Sequence, residues 1–370
     1  MTQELHVVTG ATGHVGANLV PALLASGHDV RVVMTEPLGA LLPGLAGLPV
    51  ERVNGDVRDR ISLVRAFAGA DVVHHLAAVI NVGMRPDSRL RSVNVDGVAN
   101  VVAACRANRV RRLVHVSSIH ALSTGRHVPR YDRSKAAGER VVAGAVAEGL
   151  DAVIVRPTGI IGPRDFAPSR MGQVFLDLSR RRLPALMAGG FNWVDVRDVA
   201  NALIAAADRG RSGEAYVVSG YWRSLLELAK QAGTVTGAMP PAITVPHWVA
   251  RAAAPIGGLV SERFSPAAVR ALRDHEDVAC DLALRDLGHW PRPMADTIGA
   301  IYKSFAIQRG NTTPSWPDGY TTETDMPIAM SDGSTELSGA SADETTLPTN
   351  RIDGSSANAT TTTLYGATSA

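Results

Sequence analysis

The chain of 370 residues is 45% hydrophobic and 19% charged, enough for one large soluble domain with an elaboration. Its two cysteines, Cys105 and Cys280, stand far apart without CxxC or Cys/His ligand spacing, so neither a disulfide framework nor a zinc site is expected. The formal charge of +2 hides 36 basic against 27 acidic side chains in residues 1–310, yet the arginines are scattered in runs as short as RVRR (109–112) and SRRRL (179–183), which excludes a nucleic-acid surface in favour of solvated helix faces and attraction to an anionic cofactor.

The start, MTQELHVVTG, lacks a basic segment followed by an apolar one, and no window approaches the roughly 18 apolar residues of a membrane span. A cytoplasmic protein without membrane contact is expected. Apolar runs then alternate with helical patterns. LHVV (5–8), DVRVVM (29–34), VERV (50–53), DVVHHL (71–76), RLVHVSS (112–118) and AVIVRP (152–157) read as buried strands, with helices over about 14–26, 61–68, 90–107 and 132–148 between them. The alternation predicts an α/β, Rossmann-type, doubly wound parallel sheet over residues 1–160, with ligands at the carboxyl ends of its strands.

After Pro157 the pattern loosens into helices near 170–182, 197–208, 224–236, 246–254 and 295–307, separated by Pro- and Gly-rich connections. Residues 161–310 therefore read as a smaller, mainly helical lobe over the substrate, with segments returning to the sheet. PHWVARAAAPIGGLV (246–260), amphipathic but interrupted by Arg251 and Pro255, reads as a core or lid helix. From Asn311 onward Ser and Thr make up about a third of the residues, and eight acidic side chains face one basic, which predicts a disordered tail over 311–370.

The first strand runs into TGATGHVG, where Gly10, Gly13 and Gly16 are spaced three apart before a helix. A strand-to-helix turn without Cβ atoms lets the backbone around Thr12, His14 and Val15 approach a pyrophosphate at the positive helix end. The second strand ends VVMTEP. Met34 and Thr35 occupy the positions that select between NAD and NADP, Glu36 follows and would oppose a phosphate, no arginine is presented there, and NAD is favoured. Asp56, with Val57, follows the third strand, placed to accept from an adenine amino group or else to cap a helix. Leu76, Ala77 and Ala78 end the fourth strand with small residues against the cofactor, and His74 and His75, on opposite faces of that strand, are poor joint metal ligands. No metal is expected.

YDRSK (131–135) places Tyr131 and Lys135 four apart on a helix, one turn and about 5–6 Å between them. A free phenol ionises near pH ~10, and a cation within ~4–6 Å lowers that by about 1–3 units. Ser118, ending the fifth strand, supplies a hydroxyl to hold a substrate oxygen beside Tyr131 while hydride passes to or from a nicotinamide.

Together TGATGHVG, GDVRD, HLAA, VNVDG (93–97), VSS, YDRSK and RPTGIIGPRD (156–165) resemble the extended short-chain dehydrogenase/reductase family, over about residues 5–307. The likeness is greatest to its dihydroflavonol 4-reductase-like and 3β-hydroxysteroid-dehydrogenase-like group. The resemblance implies Asn94 as a fourth catalytic residue ordering water near Lys135, with a helix-start role as the alternative. It further implies that Pro157, Thr158, Gly159 and Ile160 line the nicotinamide, that Ser117 helps to position it, and that the protein forms a homodimer. Val82, Met84, His120, Phe166, Met171 and Trp193 are candidates for a mostly apolar substrate pocket. These features imply interconversion of a ketone and a secondary alcohol. A nucleotide-sugar epimerase or dehydratase with tightly held NAD, and a dinucleotide-sensing protein without catalysis, are the alternatives.

Overall fold

The structure, a computed structural model, describes residues 3–35, 42–81, 87–124, 128–249 and 278–308. The expected Glu36, Val82 and Met84, most of the 246–260 stretch and the 311–370 tail lie outside the described residues. All six expected strands form: β1 (Leu5–Thr9), β2 (Asp29–Met34), β3 (Glu51–Asn54), β4 (Val72–His75), β5 (Arg112–Val116) and β6 (Ala152–Pro157). Joined by β10 (Ala215–Val218), they make a seven-stranded sheet in the order β10-β6-β5-β4-β1-β2-β3 with every pair parallel. The order reverses between β1 and β4, and the crevice at their carboxyl ends is where such a sheet takes a ligand.

Helices cover both faces because the buried strands carry apolar side chains on each side. On one face Leu19 and Leu23 of α1 (His14–Ala25) and Val199 and Leu203 of α7 (Val196–Arg209) pack on Val8, Val32, Val114 and Val153. On the other, Leu63 of α2 (Arg60–Ala66), Val101 and Cys105 of α4 (Asp96–Ala107) and Val142 of α5 (Arg130–Ala147) pack on Val7, Val73, Leu113 and Ile154. Each such side chain contributes about 1.5–3 kcal/mol on burial. A third cluster joins Phe175 of α6 (Arg170–Ser179), Leu228 of α8 (Leu225–Thr236) and Ile298 and Tyr302 of α10 (Met294–Gln308). The short α9 (Asp281–Leu287) adds Ala283 and Leu287 to the first face.

Local chemistry sets the helix starts. Asp59, Ser169 and Asp195 accept from the N–H groups of Ile61, Gly172 and Arg197, and Ser224 forms a reciprocal capping box with Glu227. The helix expected over 90–107 is two: α3 (Arg89–Asn94) and α4, broken at Val95, whose backbone sits at φ −123°, ψ −63°. Asn94 thus ends a helix and does not start one. β5 stops at Val116, two residues early, because Ser118 turns the chain by accepting from His120 N–H and capping a short 3-10 turn over Ile119–Leu122. Sequence periodicity had no purchase on β7 (Gly159–Ile161), β8 (Ala185–Met187), β9 (Gly190–Asp195), β11 (Tyr221–Ser224) and β12 (Ile243–Val245). They are three to six residues long, no shorter as a group than several strands of the first half, but lie among Gly- and Pro-rich connections without the regular strand–helix alternation that marks those. They pair as β11-β9-β7 and β12-β8. Among the described residues no helix is long and apolar enough to cross a membrane.

Candidate active site

The glycine loop sits at the carboxyl end of β1. Gly10 has φ +73°, and a Cβ there would stand 2.7 Å from Ala77 N; one on Gly16 would stand 2.5 Å from Gly10 O. Packing alone explains those two. Gly13 differs: its φ of −75° suits any residue, and a Cβ there would meet nothing closer than Gly10 O at 3.4 Å. The chain itself has no use for a glycine at 13. The space a side chain would fill is the open side of the loop, over the first turn of α1, whose start has no side-chain cap. Unpaired N–H groups at a helix start, with a cradle kept clear of side chains, fit a pyrophosphate. His14 and Asn18 both hydrogen-bond Pro163 O, at 3.0 Å each, tying the loop to the segment after β7. Leu76 and Ala77 are half-buried beside it, with Leu76 N–H donating to Thr9 O at 3.1 Å.

Farther along the crevice, Thr35 is exposed and lines a cleft with Met34, Asn54, Gly55, Asp56, Asp59, Ser62 and Arg65. The Asp56 carboxylate is engaged by Arg58 at 3.0 Å, which holds it below the usual carboxylate range. Asp59, and not Asp56, caps α2. Val57 is buried under α4. Arg65 was invisible in the sequence pattern because it is thirty residues from Thr35 and only the packing of α2 brings it to the same cleft.

At the end of β5, Ser118, Tyr131 and Lys135 come together. Tyr131 is 7% exposed and faces Ser118, whose side chain opposes the rise of its phenol; Lys135 is 4% exposed and donates to Val116 O at 2.8 Å. These contacts follow from the buried face of α5, whose close approach is set by Gly138, where a Cβ would stand 2.6 Å from Asn94 O. Glu139 clamps the same helix to β6 through Arg156 at 2.9 and 2.6 Å. Ser117 is buried beside Ser118, its hydroxyl without a hydrogen-bond partner among the described residues.

The electrostatics depart from expectation. Burial pushes the Tyr131 phenol up to about 12, with Ser118 opposing, and Lys135 is not among the charges that act on it. Burial likewise pulls Lys135 down to about 8. The expected lowering of the phenol by its neighbour fails in the chain alone because the amino group is turned to Val116 O and is itself desolvated. Its charge falls instead on His75 and His115, fully buried imidazoles held well below their usual range by burial and then by Lys135.

The Asn94 side chain is engaged within the chain. Its amide accepts from Val79 N–H at 2.8 Å and donates to Val79 O at 2.9 Å and Ser134 Oγ at 3.0 Å, pinning the chain after β4 to α5.

The substrate-side candidates divide. His120 stands beside the site: its ring is 6.1 Å edge-on to Tyr131 and 6.0 Å from Phe191, with Nδ1 3.6 Å from Asp132. Trp193 is buried, donating to Arg223 O at 2.9 Å, and packs with Phe191 over Gly159. Met171 joins the lobe core. Phe166 is drawn elsewhere: Arg164 lies 5.5 Å over its ring, and it packs near Gly44, away from the His120 cluster. Pro157 and Thr158 are buried at the end of β6 and Gly159 and Ile160 half-buried in β7, so this stretch runs from the sheet to the aromatic cluster.

Residues 6–219 match the NAD dependent epimerase/dehydratase family. The chain is 35% identical over 274 residues to sterol demethylase protein B of Methylococcus capsulatus, covering 70% of this chain and 83% of that one. It is 32% identical to a putative dihydroflavonol 4-reductase of Synechocystis, covering 65% and 75%. The crystal structure of gox2253 superposes with a TM-score of 0.73 at 28% identity, covering 84% of this chain and 100% of that one. A parallel sheet with its order reversed at a glycine loop, and a match running from β1 past β10, have one reading: the chain is an NAD(P)-dependent enzyme of the oxidoreductase type and belongs to the NAD-dependent epimerase/dehydratase family.

Proposed function

We propose that the protein interconverts a ketone and a secondary alcohol on a small, mostly apolar substrate, with residues 1–160 holding the dinucleotide and 161–310 shaping the substrate side. The observation that carries the reading is the burial of the Tyr131 phenol beside Ser118, with Lys135 on the same buried face of α5, at the carboxyl end of β5. The glycine loop, Leu76–Ala78, Ser117 and Pro157–Ile160 would hold the dinucleotide. When bound, the dinucleotide supplies or accepts hydride at its nicotinamide ring and, oxidised, adds a positive charge.

The chain's own part is proton transfer and positioning. Ser118 Oγ–H donates to the substrate oxygen and fixes it. Tyr131, whose phenol burial pushes up to about 12 in the chain alone, holds its proton and donates it to that oxygen as the carbonyl is reduced. In the reverse direction Tyr131 must first be the phenolate, the form that the positive charge of the oxidised dinucleotide would favour, and the same oxygen atom then takes the proton. Lys135, one turn along α5 with its ammonium on Val116 O, would help to hold the dinucleotide, so its charge bears on the reduction without acting on the phenol. His120 and Phe191 offer an apolar wall beside the phenol, suited to a fused-ring or isoprenoid-sized ligand. The sterol and flavonol names of the relatives agree with that wall.

NAD is the proposed cofactor over NADP because β2 ends in Thr35 with no arginine following it in the chain; the carboxylates of Asp56 and Asp59 in the same cleft are balanced by Arg58 and Arg65. The test is oxidation of NADH and NADPH against ketosteroids, flavanonols and nucleotide sugars, in wild type and Tyr131→Phe. Expected are net cofactor turnover on an apolar ketone and a loss of about 10²–10⁴-fold in kcat for the variant, with dinucleotide affinity retained. Turnover of a nucleotide sugar without net cofactor consumption, or full activity in Tyr131→Phe, overturns the reading.

A further inference from the structure

We propose that Glu4, His6 and His28 form a zinc site at the amino-terminal edge of the sheet, at the far end of β1 from the glycine loop. Glu4 and His6, two apart, project on one face of β1, and pairing of Leu5 with Asp29 brings His28 alongside from the turn before β2. One ligand atom from each lies within 4.8 Å of the others. His6 Nε2 stands 3.5 Å from Glu4 Oε2, and the His6 and His28 rings are 4.2 Å apart. Donors about 2.0–2.1 Å from a tetrahedral zinc are about 3.3–3.4 Å from each other, so small side-chain rotations close the set.

The independent sign of a missing ligand is in the ring nitrogens. His6 is 0% exposed, and its Nε2, like His28 Nδ1, is buried without a hydrogen-bond partner among the described residues. Such atoms cost stability unless a water or an ion meets them. His6 Nδ1 has a partner, His74 Nε2 at 2.9 Å. Donation from Nδ1–H to His74 is the outer contact that orients a metal-binding imidazole and leaves Nε2 as the free lone pair, aimed at Glu4 and His28. His74 Nδ1 stays unpartnered in that arrangement.

Arg111 binds both Glu4 oxygens, at 2.8 and 2.9 Å. It fixes the carboxylate while opposing a cation, so the set suits an ion held by imidazole nitrogen, zinc, better than magnesium or calcium, which need an oxygen shell. Glu4, the outermost member, leaves a fourth position for water. The absence of a metal, as read from the sequence, rested on cysteine spacing and on the opposed faces of His74 and His75. The present ligands converge only once β1 and β2 have paired.

The full-length, tag-free protein, stripped with chelator, is titrated with ZnCl2 by calorimetry, followed by thermal unfolding and by the visible spectrum with Co2+. Expected are one zinc per chain with Kd tighter than about 20 µM, a rise in Tm of several degrees at saturation, and a four-coordinate cobalt spectrum. His28→Gln and Glu4→Gln, both at partly exposed positions, weaken zinc binding by about tenfold or more, while His247→Gln does not. Weaker binding than that, variants that bind like wild type, or equal protection by Mg2+ overturns the proposal. Ketone reduction is not involved, so failure of either reading leaves the other standing.

Discussion

Tyr131 and Lys135 are both buried, and burial acts on them in opposite directions: the phenol goes up to about 12 and the amine down to about 8. An alkaline limb in the reduction therefore belongs to Lys135. Its amine is charged below about pH 8 and neutral above, so kcat/KM should fall above that pH, and Lys135→Arg should move the limb beyond pH ~10. The linkage has the opposite sign. Between about 8 and the ordinary 10.5 the unfolded chain holds a proton the folded chain has released, so this residue makes stability rise with pH there; denaturant titrations of Lys135→Met should lack that rise. Gly13 gives a second residue-scale expectation. Its Cβ is tolerated by the chain, so Gly13→Ala should leave the urea midpoint unchanged while weakening dinucleotide binding by about tenfold or more, read by fluorescence titration of NADH. Both motifs were legible in the sequence because each is contiguous. The clamp of Asn94 on Val79 and the place of Arg65 were not, since both depend on partners fifteen to thirty residues away.

At the scale of elements, α5 carries the site. Tyr131, Ser134, Lys135, Gly138, Glu139 and Val142 share its buried face, so the spacing that packs the helix also aims the catalytic candidates at the strand ends. Gly138 is the contact point with α3. In a free helix Gly→Ala gains about 1 kcal/mol, but a Cβ here would stand 2.6 Å from the Asn94 carbonyl, which is backbone and pinned. Gly138→Val should cost about 1–3 kcal/mol in chemical denaturation and reduce kcat, because α5 must move with Tyr131 on it. Strand and helix positions in the first half followed from periodicity to within a residue or two. The break at Val95 did not, because α3 and α4 both look amphipathic; what separates them is the Asn94 side chain turning in to the β4 exit.

At the scale of the molecule, the dinucleotide crevice lies between β1 and β4, elements separated by β2 and β3 in the chain and adjacent in the sheet. A ligand bridging them should stabilise the whole domain. NADH at about 100 times its Kd adds about 2.7 kcal/mol, seen as a rise in Tm that Tyr131→Phe keeps and that Gly13→Ala, binding about tenfold more weakly, cuts to about half or less at the same concentration. The sequence by itself determined the alternation of strands and helices, the phosphate loop, the Tyr131/Lys135 turn and hence the family, because these are local patterns of period, turn chemistry and spacing. Only the tertiary structure decided which way Lys135 points, what Asn94 and Phe166 touch, where β10 enters the sheet, and that Glu4, His6 and His28 meet at one edge. Those outcomes are set by burial and by partners distant in the chain, and neither desolvation nor a long-range contact leaves a periodic trace in the order of residues.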